Sequence, residues 1–214
     1  MDFGIGLIFT LPILLYSAIL HEIAHGLIAD RLGDPTARLS GRLTLNPIKH
    51  IDPFMTILLP LLLIFSGSSV IFGGAKPVPI DPYNLKDGKK DIALVALAGP
   101  LTNMILAAFA ALLYHGFFFL PSSFFLFPFL NIFLQVTITI NLYLAIFNLL
   151  PIPPLDGSKV FALILPDGIA DSYLSIGTIG VVILFLLLSF PVAGFYLPDF
   201  MQHIYILLAH LLGL

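Results

Sequence analysis

The 214-residue chain contains no cysteine, so disulfides and thiolate metal ligands are excluded, and any metal must be held by His, Asp or Glu. Charge is scarce too. Only 10% of residues are Asp, Glu, Lys or Arg against 59% hydrophobic, and the mean hydropathy is +1.07. That usage lies far outside soluble domains and describes a polytopic membrane protein, whose partners include the lipid bilayer and no nucleic acid. Glutamate is almost absent, occurring once, at Glu22. No internal repeat, linker or soluble segment stands out. Residues 1–214 are expected to form a single membrane domain, with a core over 3–160 and C-terminal helices in 170–214.

The few cations are unevenly placed. Eight of the nine Lys and Arg residues fall between Arg31 and Lys90, and the ninth is Lys159. The positive-inside tendency assigns these segments to the cytoplasmic side. Apolar windows of about 20 residues mark candidate spanning helices at 3–29, 92–120, 124–150 and 175–191, with a weaker one at 195–214. The first run lacks a basic n-region and a cleavage site, so it is expected to be a retained helix rather than a signal peptide. The run 54–72 carries Pro60 and the cluster "SGSS". If Arg31 and the segment 76–90 share one side, the chain between them crosses an even number of times. A re-entrant hairpin over 54–72, sheltered by protein or a wet cavity, satisfies that count, and an ordinary span is the alternative. "FGGAKPVPIDPYNL" suits an extended segment whose edge an unwound peptide could join. The expected fold is therefore an all-α polytopic membrane protein of about 5–6 transmembrane helices, with a re-entrant hairpin and a short strand-like segment near the active site.

Within the first apolar run stands "HEIAH". His21 and His25 are four residues apart, so on a helix they project from one face and can hold one zinc ion. Glu22 beside them is placed as a general base. Ionisable groups at membrane depth are costly, and a functional role is the default reading. A catalytic zinc usually has three protein ligands, so one is missing. The extension HExxHxxGxxH fails, because Ile28 and Arg31 stand where Gly and His are needed, and no second Glu exists. The third ligand must be an Asp or another His. Asp156 stands out in "NLLPIPPLDGSKV", where three prolines stop the preceding helix. A simple turn or helix cap is the alternative for it. Crossings by 92–120 and 124–150 return the chain to the side of His21 and His25.

These motifs, with "AGPLTN" and "FGGAKPVP", resemble the site-2 proteases, a family of intramembrane zinc metalloproteases. The loop "GRLTLNPIKHIDP" is most similar to small bacterial and archaeal members without PDZ or CBS domains. The resemblance implies one Zn2+ per chain held by His21, His25 and Asp156, with Glu22 as catalytic base. It also implies that Asn148 helps to hold substrate or to stabilise the oxyanion, and that Asn103 is polar toward the site. Interhelical hydrogen bonding for Asn103 and capping for Asn148 are the plainer readings. The role of His50 stays open, a loop hydrogen bond being the plain expectation. For His115, His203 and His210, interfacial anchoring suffices.

The implied activity is hydrolysis of peptide bonds in single-span membrane proteins or leftover signal peptides, in a prokaryotic cell membrane, with the site toward the cytoplasm. A divalent-metal transporter and a catalytically inactive binder of membrane helices are the alternatives. Neither GxSG nor GxGD occurs, which disfavours serine and aspartyl intramembrane proteases. The substrate, the oligomeric state and the device that gates substrate entry are not encoded in any motif.

Overall fold

The computed structural model describes residues 3–53, 58, 75–117 and 127–214. Three long helices dominate: α1 (Phe3–Leu32), α3 (Lys89–Phe117) and α4 (Phe127–Asn148). Each is long and apolar enough to cross a membrane. Shorter elements follow or connect them: α2 (Thr36–Leu39), α5 (Asp156–Phe161), α6 (Asp167–Leu174), α7 (Gly177–Ser189) and α8 (Leu197–Leu211).

α3 is central and packs against both α1 and α4. Its contact face is built from alanines, with Ala107, Ala110 and Ala111 against Leu134, Ile138 and Leu142 of α4. Small residues let helix backbones approach where no hydrophobic effect separates protein from lipid. The opposite faces expose Leu11, Ile105, Phe109 and Leu112, as a lipid-facing surface requires. α3 begins at Lys89, three residues before its apolar run. There the buried Asp91 carboxylate accepts from the Asp87 amide at 2.8 Å, tying the chain just ahead of the helix to its first turn. A second core joins Ile146, Leu150 and Leu155 to Leu184 of α7 and Leu197 and Met201 of α8.

Several expectations change. The described residues hold three membrane-crossing helices, or four if α6 and α7, bent by 69° at their junction, make one broken span, so a total of 5–6 is not reached among them. α7 has 13 residues and α8 has 15, about 20 and 22 Å of rise, short of the hydrocarbon thickness. The strand-like segment is extended but pairs with no strand among the described residues. Its chemistry explains why. Pro77 and Pro79 have no N–H, and the Val78 amide is engaged by Glu22, so little remains to build a ladder. The re-entrant hairpin expected over 54–72 lies outside the described residues apart from Leu58.

Candidate metalloprotease site

His21 and His25 leave α1 on the face that meets α3. Their Nε2 atoms stand 3.1 and 3.2 Å from one carboxylate oxygen, Oδ2 of Asp156. All three residues are buried. Two donors each about 2.0–2.1 Å from a tetrahedral zinc stand about 3.3 Å apart, so this spacing and donor chemistry fit the ion. The carboxylate of Glu22 adds a fourth candidate atom, within 4.8 Å of the imidazole donors.

The other ring nitrogens are committed. His25 Nδ1 donates to the Val95 carbonyl at 2.7 Å, and His21 Nδ1 donates to Asn103 Oδ1 at 2.6 Å. Each bond places the proton on Nδ1 and leaves the Nε2 lone pair facing the shared oxygen, the usual arrangement behind a metal-ligating histidine. The close packing needs Gly99 on α3. A Cβ there would lie 2.5 Å from His21 Cε1 and Nε2 and from His25 Nε2.

Asp156 is delivered by a broken chain. α4 ends at Asn148 because Pro151, Pro153 and Pro154 cannot continue it, and α5 opens at Asp156. The carboxylate sits in the first turn of α5, where the helix dipole favours an anion. Gly157 is required beside it, since a Cβ there would stand 2.1 Å from the Leu149 carbonyl oxygen. Lys159, one turn on, reaches Asp156 Oδ1 at 3.1 Å, so the two carboxylate oxygens face different partners.

These residues open on a cavity of about 410 Å³. Pro77, Val78 and Ile80 form part of one wall, and Asn148, Leu155 and Lys159 part of another. Glu22 Oε2 accepts from the Val78 amide at 2.8 Å, which fastens this carboxylate to the extended segment. The Asn148 amide donates to the Leu144 carbonyl at 2.9 Å and still lines the cavity.

Asn103 meets the site from behind His21 and also bonds between helices. It is fully buried, does not line the cavity, and spends its amide on His21 and on Asn141 of α4. His50, also fully buried, bonds the Thr44 carbonyl through Nε2 at 2.8 Å, the loop role expected of it. His115 bonds the Leu212 carbonyl at 2.8 Å and His203 the Asp199 carbonyl at 2.6 Å. Lys159, Asn141 and the Val78 amide were missed as site residues. Lys159 is three residues after Asp156 and so shares its helix face, and Asn141 is a polar residue two turns before Asn148 on an apolar helix, signals that could have found both.

Residues 128–188 match the model of Peptidase family M50. Over 187 residues the chain is 37% identical to "Putative zinc metalloprotease YwhC" of Bacillus subtilis, covering 86% of this chain and 81% of that protein. A protein of the same designation, Rip2 of Mycolicibacterium smegmatis, is 39% identical over 145 residues, 67% of this chain and 52% of that one. MJ0611 of Methanocaldococcus jannaschii, again so designated, is 42% identical over 93 residues, 42% of this chain and 45% of that protein. The chain thus spans about half the length of the latter two. No solved structure matches it significantly. With the HExxH helix, the LDG turn and these relatives in agreement, the chain belongs to peptidase family M50, the site-2 proteases, and is a membrane-embedded zinc metalloprotease.

Proposed function

We propose that the protein hydrolyses peptide bonds within the membrane, with His21, His25 and Asp156 holding one zinc ion and Glu22 acting as general base. The observation that carries this reading is the convergence of three metal-ligating atoms, 3.1 and 3.2 Å apart, with a carboxylate beside them on one cavity. The ion, when bound, lowers the pKa of a coordinated water from 15.7 to about 7 and polarises the scissile carbonyl. With Oε2 held by Val78, Glu22 offers Oε1 to take the proton from water and pass it to the leaving amine. Asn148 keeps one amide hydrogen free of Leu144 and turns it toward the carbonyl oxygen as charge develops there. Lys159 engages Asp156 Oδ1, so that Oδ2 is the oxygen Asp156 would offer to the ion.

The substrates are single-span membrane proteins or leftover signal peptides, whose helix unwinds so that its carbonyls become accessible. The site faces the cytoplasmic side of the cell membrane, where the cations gather.

Glu22→Gln in detergent or liposomes should keep its zinc and lose cleavage of a transmembrane model substrate. Cleavage that survives this change sinks the mechanism. Zinc flux into liposomes would favour a transporter, which needs ligand clusters in series, whereas one cluster is found among the described residues.

A further inference from the structure

Behind His21 lies a buried polar chain that reaches a third helix. His21 Nδ1 meets Asn103 Oδ1 at 2.6 Å, and Asn103 Nδ2 donates to Asn141 Oδ1 at 2.9 Å. Asn141 Nδ2 in turn donates to Ser17 Oγ and to the Thr137 carbonyl, each at 2.9 Å. Asn103, Asn141 and Ser17 are 0, 0 and 5% exposed, so water does not compete for these groups. α1, α3 and α4 each contribute to the chain, and it touches neither the cavity nor the base.

The order of donors and acceptors has one solution. The Thr137 carbonyl only accepts, so the NH2 end of Asn141 must face it. That turns Asn141 Oδ1 toward Asn103, where it can be satisfied only by the NH2 end of that amide. Asn103 Nδ2 finds its second acceptor in the Ser17 carbonyl at 3.5 Å. Asn103 Oδ1 is then the atom presented to His21, and an acceptor there requires Nδ1 to carry the proton. Nε2 is left as a lone pair, the form that binds a metal. A flipped amide at either asparagine would set two like groups against each other, at the cost of an unsatisfied buried polar atom, about 1–3 kcal/mol.

We propose that Asn141 is a positioning residue that fixes, through Asn103, the tautomer and orientation of His21 in which it binds zinc. The assignment rests on the proposed role of His21 as a ligand, but its first test does not. Ring 15N shifts of His21 in the metal-free full-length protein report the tautomer directly. The wild type should show a single Nδ1–H form, and Asn141→Leu should show a mixture. Zinc affinity, measured by chelator competition, should fall about 10- to 100-fold in Asn141→Leu, the usual consequence of losing a partner behind a metal-ligating histidine.

A double-mutant cycle separates this from general damage to the bundle. Asn103→Asp supplies an acceptor-only group to His21 whatever Asn141 does. In that background Asn141→Leu should change zinc affinity by less than about threefold. If Asn141→Leu does not purify as a folded protein, Asn141→Ala replaces it, with a loss expected beside Asn103 and none beside Asn103→Asp. Equal losses in both backgrounds, or a single Nδ1–H tautomer in Asn141→Leu, overturn the proposal. A wild type that binds no zinc yet shows the tautomer shift refutes the proposed function and leaves the positioning of His21 standing.

Discussion

At the scale of single residues, the candidate metal-ligating set was legible because chemistry restricts it so tightly. With no Cys and one Glu, the HExxH spacing and the proline-broken LDG turn left few candidates, and Asp156 does converge on His21 and His25. What the sequence could not yield was which polar groups face the cavity and which lie behind the histidines. Asn103 and Asn148 are both asparagines on apolar helices. Only three-dimensional placement puts the first against His21 Nδ1 and the second on the cavity wall. Gly99 offers the cleanest test at this scale. Ala in its place should stabilise an ordinary helix by up to about 1 kcal/mol. Here its Cβ would press on both imidazoles at 2.5 Å. Gly99→Ala should therefore lose zinc affinity about tenfold or more, read by chelator competition. Unchanged affinity would mean that the rings are not pinned between α1 and α3.

At the scale of elements, the segment 75–81 shows how an irregular stretch is held against the Glu22 carboxylate. Its Val78 amide is bound by Glu22, and the buried Arg42 Nη2 donates to the Lys76 and Pro77 carbonyls at 2.7 and 3.3 Å. Asp34, fully buried just after α1, accepts from the Asp81 amide at 2.8 Å and from Asn84 Nδ2 at 3.0 Å, and also from the Thr36 amide and hydroxyl. Its extended form was legible from the prolines. Its fixation was not, because Asp34 and Asp81 are 47 residues apart and nothing local links them. Burial pushes the Asp34 carboxyl up, but the bonds from Thr36, Asn84 and Asp81 outweigh it and hold the group below its usual range. A carboxyl depressed in the folded state contributes stability that is present above the unfolded value of about 3.9 and is lost as pH falls through the folded value. Asp34→Asn, which turns an NH2 toward donor groups, should cost about 1–3 kcal/mol at pH 7 in thermal unfolding. The gap to wild type should close as the pH is taken below 4. A gap independent of pH would show that the charge of Asp34 is not what holds the loop.

At the scale of the whole molecule, hydropathy found the three long helices but not the geometry of the runs at 175–191 and 195–214, because a window of apolar residues does not distinguish a straight span from a bent pair. α6 with α7 and the short α8 carry apolar runs, yet their geometry depends on packing against α4 and the turn after it. The same packing fixes which ends lie together. His25 is seven residues from Leu32, about 10 Å along α1, so the site is near one end of the bundle rather than at its middle. Asp34, the segment 75–84 and Asp156 share that end, together with most of the cations. α3 carries the chain to the other end, where His115 bonds the Leu212 carbonyl, so the C-terminal residues lie opposite the site. If the site end is cytoplasmic, as the cations imply, two positions should report opposite sides of the membrane. The native chain has no Cys, so single-cysteine variants need no background correction. Tyr83→Cys, at a residue 97% exposed, should react with a membrane-impermeant maleimide only in inside-out vesicles, and Leu214→Cys only in right-side-out ones. Labelling of both from the same side would contradict the crossing of α3, and exchange of the two patterns would put the metal site on the outer face and end the cytoplasmic assignment.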